Sequence, residues 1–222
     1  PNARKVMQAV SRADWSREAF PWLSVRDCFI GIAPAIVMAV SFSGELAYEI
    51  HVPNNQLYAA YLALRKAGEE FGLKLFGARA VESMRLEKGY LHWKADILTE
   101  FDPFETGLHR FVDMDKPDFI GKQALAKRAA DGARRQLVSL EVDSTSAPAH
   151  GGASIMVDGR VAGTVTSGDW GHRVGKNLAY AFVEPELSAV GTPLAIDILG
   201  EHIAARVIEP APYDPGYERV RA

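Results

Sequence analysis

A single cysteine, Cys28, stands in 222 residues. One thiol excludes an internal disulfide and any cysteine-rich metal centre, and it fits a reducing compartment. The six histidines are scattered without ligand spacing, so no metal site is expected. Charge of either sign is equally lacking in excess. The net charge of −3 gives no electrostatic case for nucleic acid or for an anionic membrane surface. Long apolar runs are missing too. The longest, residues 30–40, contains Gly31 and Pro34 and is too short to span a bilayer. No signal-peptide pattern opens the chain. The sequence contains no glycine-rich dinucleotide fingerprint, no Walker loop, no H-E-x-x-H and no C-x-x-C. No nucleophile–base pair stands out, so catalytic residues stay unassigned.

What is present is an ordinary globular composition, 48% apolar and 24% charged, long enough for one large or two small domains. Val6, Met7 and Val10 form a short helical stripe, with Pro1 at home in a first helical turn. Residues 25–41 read as strands broken at Gly31 and Pro34. Residues 46–52 alternate: Leu46, Tyr48, Ile50 and Val52 face one side, Ala47, Glu49 and His51 the other. Pro53-Asn54-Asn55 stops that strand and caps a helix through Leu57, Ala60, Tyr61, Leu64 and Ala67, ended by Gly72. A second helix runs over 77–88 with Val81, Met84 and Leu86 on its buried side, and Gly89 closes it. Residues 90–107 form a long loop, of a length that is usually functional. Residues 108–114 return as a strand, and 122–130 form a connector helix ended by Gly132. After Arg134 come six short β-rich runs at 136–142, 154–157, 161–166, 177–183, 193–198 and 203–208, with Asp158-Gly159 as a hairpin turn. The fold class read from this order is α+β: an antiparallel sheet with packed helices, followed by a small antiparallel β-barrel. The expected divisions are an α+β domain over 1–118, a connector helix over 119–134 and a barrel domain over 135–222.

The stretch with most chemical content is Phe42-Ser43-Gly44-Glu45-Leu46-Ala47-Tyr48-Glu49-Ile50. A turn leads into a strand that sets a carboxylate, Glu49, beside an apolar layer. One carboxylate can accept two parallel hydrogen bonds from adjacent N–H donors on a fused heterocycle. A half-exposed strand with a solvated Glu accounts for the same pattern. Four more segments stand in order: Arg79-Ala80-Val81-Glu82-Ser83-Met84-Arg85-Leu86-Glu87-Lys88-Gly89-Tyr90 with His92-Trp93, then Pro103-Phe104-Glu105-Thr106-Gly107-Leu108, then Phe119-Ile120-Gly121-Lys122-Gln123-Ala124-Leu125, then Gly163-Thr164-Val165-Thr166-Ser167-Gly168 with Gly175-Lys176-Asn177.

Together these segments resemble the aminomethyltransferase (glycine-cleavage T-protein) superfamily, and more closely the C-terminal folate-binding part of sarcosine and dimethylglycine dehydrogenases. The resemblance covers nearly the whole chain. It implies a chain that is part of a longer flavin enzyme, because Pro1-Asn2-Ala3-Arg4 is similar to a helix start well inside the family's folate region. It implies tetrahydrofolate as cofactor here and FAD in an upstream domain of the same chain. The small-molecule substrate would be an N-methyl amine, oxidised upstream to an iminium whose carbon leaves as 5,10-methylenetetrahydrofolate. The compartment would be the cytoplasm, or the mitochondrial matrix in a eukaryote. The folate-binding residues implied are Glu49, holding the pterin edge, with Phe42 and Tyr90 beside the ring. Phe42 stands where the family often has Tyr, and plain core packing accounts for it equally well; Tyr90 is equally an amphipathic aromatic at a helix end. Val81 occupies the position of an Arg that contacts folate in the glycine-cleavage branch, which favours the dehydrogenase branch. Arg85 with Glu87 reads as a structural charge pair, Trp93 as a loop anchor and Glu105 as a cap for local N–H groups. Ala149-His150-Gly151-Gly152 reads as a turn before a strand, while 166–168 and 175–177 read as barrel turns. The family's Asp near the reactive nitrogen lies in a segment earlier than residue 1. Two alternatives remain: a stand-alone aminomethyltransferase and a non-catalytic folate-binding module.

Overall fold

The computed structural model describes residues 2–222, so Pro1 lies outside the described residues. By packing, the chain forms two compact units. One holds the described residues up to Met84 together with Asp214–Ala222; the other is Arg85–Tyr213.

The first unit is built on a three-stranded antiparallel sheet, order β1–β2–β3, of Val25–Ile30, Ala33–Met38 and Glu49–His51. Alternation decides its faces. Ile30, Ala33, Ala35 and Val37 turn inward with Met7 of α1 (Ala3–Val10), Ala60 of α2 (Leu57–Gly68), Trp15 and Phe20. Trp15 is wholly buried and meets Phe20 edge-on at 5.1 Å. Arg4 ties the start to the end of this unit: its Nε donates to Trp15 O at 2.7 Å and its Nη2 to Ala222 O at 2.6 Å. Two sequence expectations are corrected here. Pro34 does not break the strand; it sits inside β2 opposite Phe29. β3 pairs β2 only at Ile36, Val37 and Met38, so the missing N–H of Pro34 leaves no ladder bond unmade. Asn54 and Asn55 form a 3-10 turn and make no side-chain cap for α2.

The second unit is a closed six-stranded antiparallel barrel, order β4–β7–β6–β5–β8–β9. Its strands are Gln136–Val142, Ser154–Val157, Arg160–Gly171, Lys176–Val183, Pro193–Ile198 and Glu201–Ile208, numbered β4 to β9. Leu140, Ile155, Ala181, Val183 and Ile196 fill the interior. Asp158 and Gly159 both take positive φ, 50° and 78°, which suits the tight hairpin joining β5 to β6. β7 is buried on both faces from Asn177 onward. Its outward residues are covered by the last turn of α3 (Ala78–Glu87) and the segment after it: Tyr180 Oη donates to Leu86 O at 3.1 Å, and Phe101 stacks on Phe182 at 3.6 Å. That covering explains why 90–107 is long yet ordered.

Three further expectations change. Residues 108–111 form a 3-10 turn rather than a strand, after Gly107 at φ 72°. Thr166, Ser167 and Gly168 lie within β6 at a register shift, not in a turn. The buried side of the α3 segment is largely polar: Ser83, Arg85, Glu87 and Lys88 are buried with Leu86, whereas Val81 and Met84 are only half-buried. The connector helix is α4, Lys122–Asp131.

Two barrel glycines are required by space. A Cβ on Gly163 would stand 2.2 Å from Phe182 O, and one on Gly168 would stand 2.3 Å from Ala149 O. Backbone oxygens cannot swing away. Gly163→Ala and Gly168→Ala are each expected to lose about 1–3 kcal/mol in denaturant titration. Gly77→Ala, whose Cβ meets open space, is the neutral control.

Candidate functional site

The turn before β3 is held by short hydroxyl side chains. Gly44 N–H donates to Ser41 Oγ at 3.0 Å and Glu45 N–H to Ser43 Oγ at 3.4 Å, with Gly44 at φ 79°. The chain then enters the sheet with Glu49 opposite Met38 and His51 opposite Ile36. Tyr48, Ile50 and Val52 pack on the core. Tyr48 stacks on Phe20 at 5.9 Å and meets Trp15 edge-on at 5.4 Å. Burial pushes the Tyr48 phenol up, against the pull of Arg4, so the hydroxyl stays protonated at neutral pH.

The alternation that buries Tyr48 and Ile50 turns Glu49 and His51 to the other face. Glu49 is therefore exposed, not enclosed: 60% of its side chain is open to solvent, and 58% of that of His51. His51 Nε2 lies 3.6 Å from Glu49 Oε2. The register places two rows on this face, Val25–Met38–Glu49 and Asp27–Ile36–His51. A shallow groove of about 610 Å³ starts at His51 and is lined by Asp27, Phe29, Pro34, Ile36 and Val52. Glu49 stands beside it without lining it. The carboxylate thus has an apolar sheet surface at one side and no roof. Phe42 lies half-buried in the same unit as Glu49. Tyr90 belongs to the other unit, where it is half-buried and its carbonyl accepts from Arg85 Nη1 at 3.2 Å.

The second unit contains three buried carboxylates with charged partners. Asp96 accepts from Arg85 Nη1 at 2.5 Å, His92 N–H at 2.9 Å, Ser167 Oγ at 2.6 Å and Thr166 Oγ1 at 2.5 Å. Glu87 accepts from the N–H groups of Arg173 and Val174 at 2.5 and 3.1 Å, and from Arg173 Nε. The Arg173 guanidinium lies over Tyr213 at 3.8 Å. Glu105 accepts from Asp102 N–H at 3.0 Å, Arg134 N–H at 3.1 Å, Arg135 N–H at 3.3 Å and the Arg134 guanidinium. Glu105 therefore caps N–H groups, and from a distant strand start as well as nearby. Arg85 pairs with Asp96 and Glu87 with Arg173, rather than forming the expected pair with each other, because residues two apart on a helix do not face one another. These networks lock the loop onto the barrel; their oxygens are spent on internal donors and offer little to a ligand.

Trp93 does not anchor the loop, for 63% of it is exposed. His150 is exposed, with Nδ1 at 3.1 Å from Gly151 O, in the turn before β5. Gly175, at φ 65°, does make the β6–β7 turn. A second groove, of about 530 Å³, is lined by Lys94, Phe101, Arg135, Thr166 and Phe182. Among the described residues no group of three His, Cys, Asp or Glu side chains is placed to hold a metal ion. No helix among them is long and apolar enough to cross a membrane. The sequence placed His51 on the same strand face as Glu49, as the structure does, but gave it no part in the site. Sequence reasoning missed Asp96, for which a loop position offers no periodic signal.

The family profile described as the GCVT N-terminal domain matches residues 1–116, and the profile of the glycine cleavage T-protein C-terminal barrel domain matches residues 135–214. The chain belongs to the glycine cleavage T-protein family. Over 210 residues, this T-protein-family chain is 36% identical to mitochondrial dimethylglycine dehydrogenase of Homo sapiens, a match covering 94% of the chain and 24% of that protein. It is 35% identical to mitochondrial sarcosine dehydrogenase of Mus musculus over 234 residues, covering 100% of the chain and 25% of the relative. The crystal structure of the glycine cleavage system aminomethyltransferase T from Bartonella henselae has the same fold, with a TM-score of 0.86 at 22% identity over 97% of this chain and 58% of that one. The chain spans about a quarter of the length of the dehydrogenases it matches.

Proposed function

We propose that this chain is the tetrahydrofolate-binding, C-terminal part of a FAD-dependent N-methyl amine dehydrogenase or oxidase, which captures the released carbon as 5,10-methylenetetrahydrofolate. The observation that carries the reading is Glu49: an accessible carboxylate on an apolar sheet face, beside the row formed by Val25 and Met38. That arrangement fits a flat heterocycle whose edge bears two adjacent N–H donors. Glu49 would accept both, as a charged acceptor makes the stronger bonds. Phe42, in the same unit, is proposed to flank the ring. Tetrahydrofolate, when bound, supplies the nucleophilic nitrogen that takes the one-carbon unit. The contribution of this chain is orientation and exclusion of water, not proton transfer. The N-methyl amine substrate and the upstream FAD domain belong to the same proposal, which accords with the quarter-length match to two dehydrogenases. So do a module division at 1–118, 119–134 and 135–222, and a cytoplasmic or mitochondrial-matrix location.

The stand-alone aminomethyltransferase is the second reading, supported by the fold match to such an enzyme. Val81, in place of the Arg implied for that branch, weighs against it.

Calorimetry of the full-length gene product with tetrahydrofolate tests the role of Glu49. Glu49→Ala is expected to weaken binding by about 2–4 kcal/mol, the worth of two hydrogen bonds to a charged acceptor. Unchanged affinity would refute it.

A further inference from the structure

The groove of about 530 Å³ takes no part in the proposed function, and all of its lining belongs to the second unit. The turn at residues 92–97 supplies part of that lining, and its backbone is strained. Lys94 has φ 68°, in the left-handed region that residues other than Gly, Asn and Asp seldom occupy. The surroundings leave the turn no way to relax. His92 O accepts from the N–H groups of Ala95, Asp96 and Ile97 at 3.2, 2.9 and 3.3 Å, and Lys94 N–H donates to Ile97 O at 3.1 Å. Asp96, in the same turn, is clamped by Arg85, Thr166 and Ser167. Strain that the rest of a structure over-determines gathers where a chain grips a ligand.

The strained turn delivers a cation. Lys94 lines the groove, is exposed, and has no charged partner among the described residues. Arg135 is the other cation of the lining, and it is held loosely. Its Nη1 stands 3.6 Å from Glu184 Oε1, whereas Arg160 takes both oxygens of that carboxylate at 2.7 Å. Glu100 is the one acid of the lining, which leaves a net charge of one cation. The rest of the lining carries no charge. Phe101 lies almost parallel to Phe182, with ring centroids 3.6 Å apart. Gly151 and Gly163 keep part of the wall bare, because a Cβ would stand 2.8 Å from Thr166 O and 2.2 Å from Phe182 O respectively.

We propose that this groove is a binding site for a flat aromatic ring bearing a carboxylate, with the ring along Phe101 and the carboxylate taken by Lys94 and Arg135. Each part of the ligand answers one part of the lining. An aromatic wall gains from a flat ring. Cations with a loose counter-ion, or none, gain from a carboxylate. A net charge of one cation suits a carboxylate rather than a phosphate dianion, which Glu100 would oppose. The volume lies within the range of about 300–1,000 Å³ that holds small molecules. The inference stands on the second unit alone and does not depend on Glu49.

Fluorescence titration of the full-length protein with 2-naphthoate and with the uncharged 2-naphthamide tests this. The naphthoate is expected to bind saturably, about fivefold more tightly than the amide, the scale of an exposed charge pair. Lys94→Gln and Arg135→Gln should each raise the naphthoate Kd about threefold to fivefold and leave that of the amide unchanged. Lys127→Gln, an exposed lysine of α4 outside the lining, is the control and should alter neither. Absence of saturable binding, equal affinity for the two probes, or a naphthoate Kd that either substitution leaves untouched would overturn the proposal. So would loss of naphthoate binding in Glu49→Ala, which would move the probe to the first unit. Calorimetry of Glu49→Ala with tetrahydrofolate reads the proposed function separately, so each can fail without the other.

Discussion

Asp96→Ala is expected to destabilise the barrel-containing unit by about 3–5 kcal/mol, the cost of removing one partner from a buried ion pair. Asp96 is wholly buried, and the Arg85 side chain is 1% exposed. With the carboxylate gone, the guanidinium keeps its charge in a low-dielectric setting and loses this charged acceptor. Thr166, Ser167 and the His92 N–H each lose a carboxylate acceptor in the same step. Asp96→Asn keeps the shape and one acceptor oxygen, so it should fall between wild type and alanine. Urea titration followed by near-ultraviolet circular dichroism measures the difference. A loss below about 1 kcal/mol, the scale of an exposed pair, would show that Asp96 does not hold the loop on the barrel.

Glu105→Ala is expected to cost about 3 kcal/mol at neutral pH, because three backbone N–H groups and the Arg134 guanidinium lose one buried acceptor. The loss falls below that for Asp96 because Arg134 is half exposed and solvent screens it. The pH dependence has a definite sign. Burial pushes the Glu105 carboxyl up, but hydrogen bonds from Arg134 and from the Asp102 and Arg134 backbones outweigh it and hold the group below its ordinary value of 4.5. A carboxyl depressed by folding contributes stability that is complete above its unfolded pKa and is lost as pH falls through the folded one. The gap between wild type and Glu105→Ala should therefore be constant from pH 7 to about 5 and shrink below about 4.5. Denaturant midpoints for both proteins between pH 7 and 3 provide the check. A gap that grows on acidification would contradict the direction of the shift.

Much of the architecture was legible because β-structure writes itself locally. The runs at 136–142, 154–157 and 193–198 became strands with those same limits. Asp158-Gly159 became a turn because few other dipeptides take two positive φ values cheaply. Residues 46–52 were legible in their facing though not in their length. Tyr48, Ile50 and Val52 point to the core and Glu49 and His51 away, yet hydrogen bonding to β2 begins only at Glu49. The preceding turn, tied to Ser41 and Ser43, holds the chain off the ladder until then.

The α3 segment was legible as a helix and illegible in its burial. A helix carrying Arg85, Glu87 and Lys88 reads as half solvated, since charged residues are seldom buried unless paired. Partners for two of them come from Asp96 and Arg173, one in the following loop and the other on the β6–β7 hairpin. Ion pairing across such separations has no period along a chain. The Phe101–Phe182 stack that seats the long loop is illegible for the same reason.

By itself, then, the sequence determined the α+β class, the six barrel strands and the facing of Glu49, because backbone propensity and side-chain alternation act over a few residues, while the ordered motifs carried the resemblance to the family. Only the tertiary structure decided that charged side chains would be buried against the barrel, and that Glu49 would stand uncovered on an apolar face. Burial is set by whatever packs against a surface, and that is a contact between distant parts of a chain.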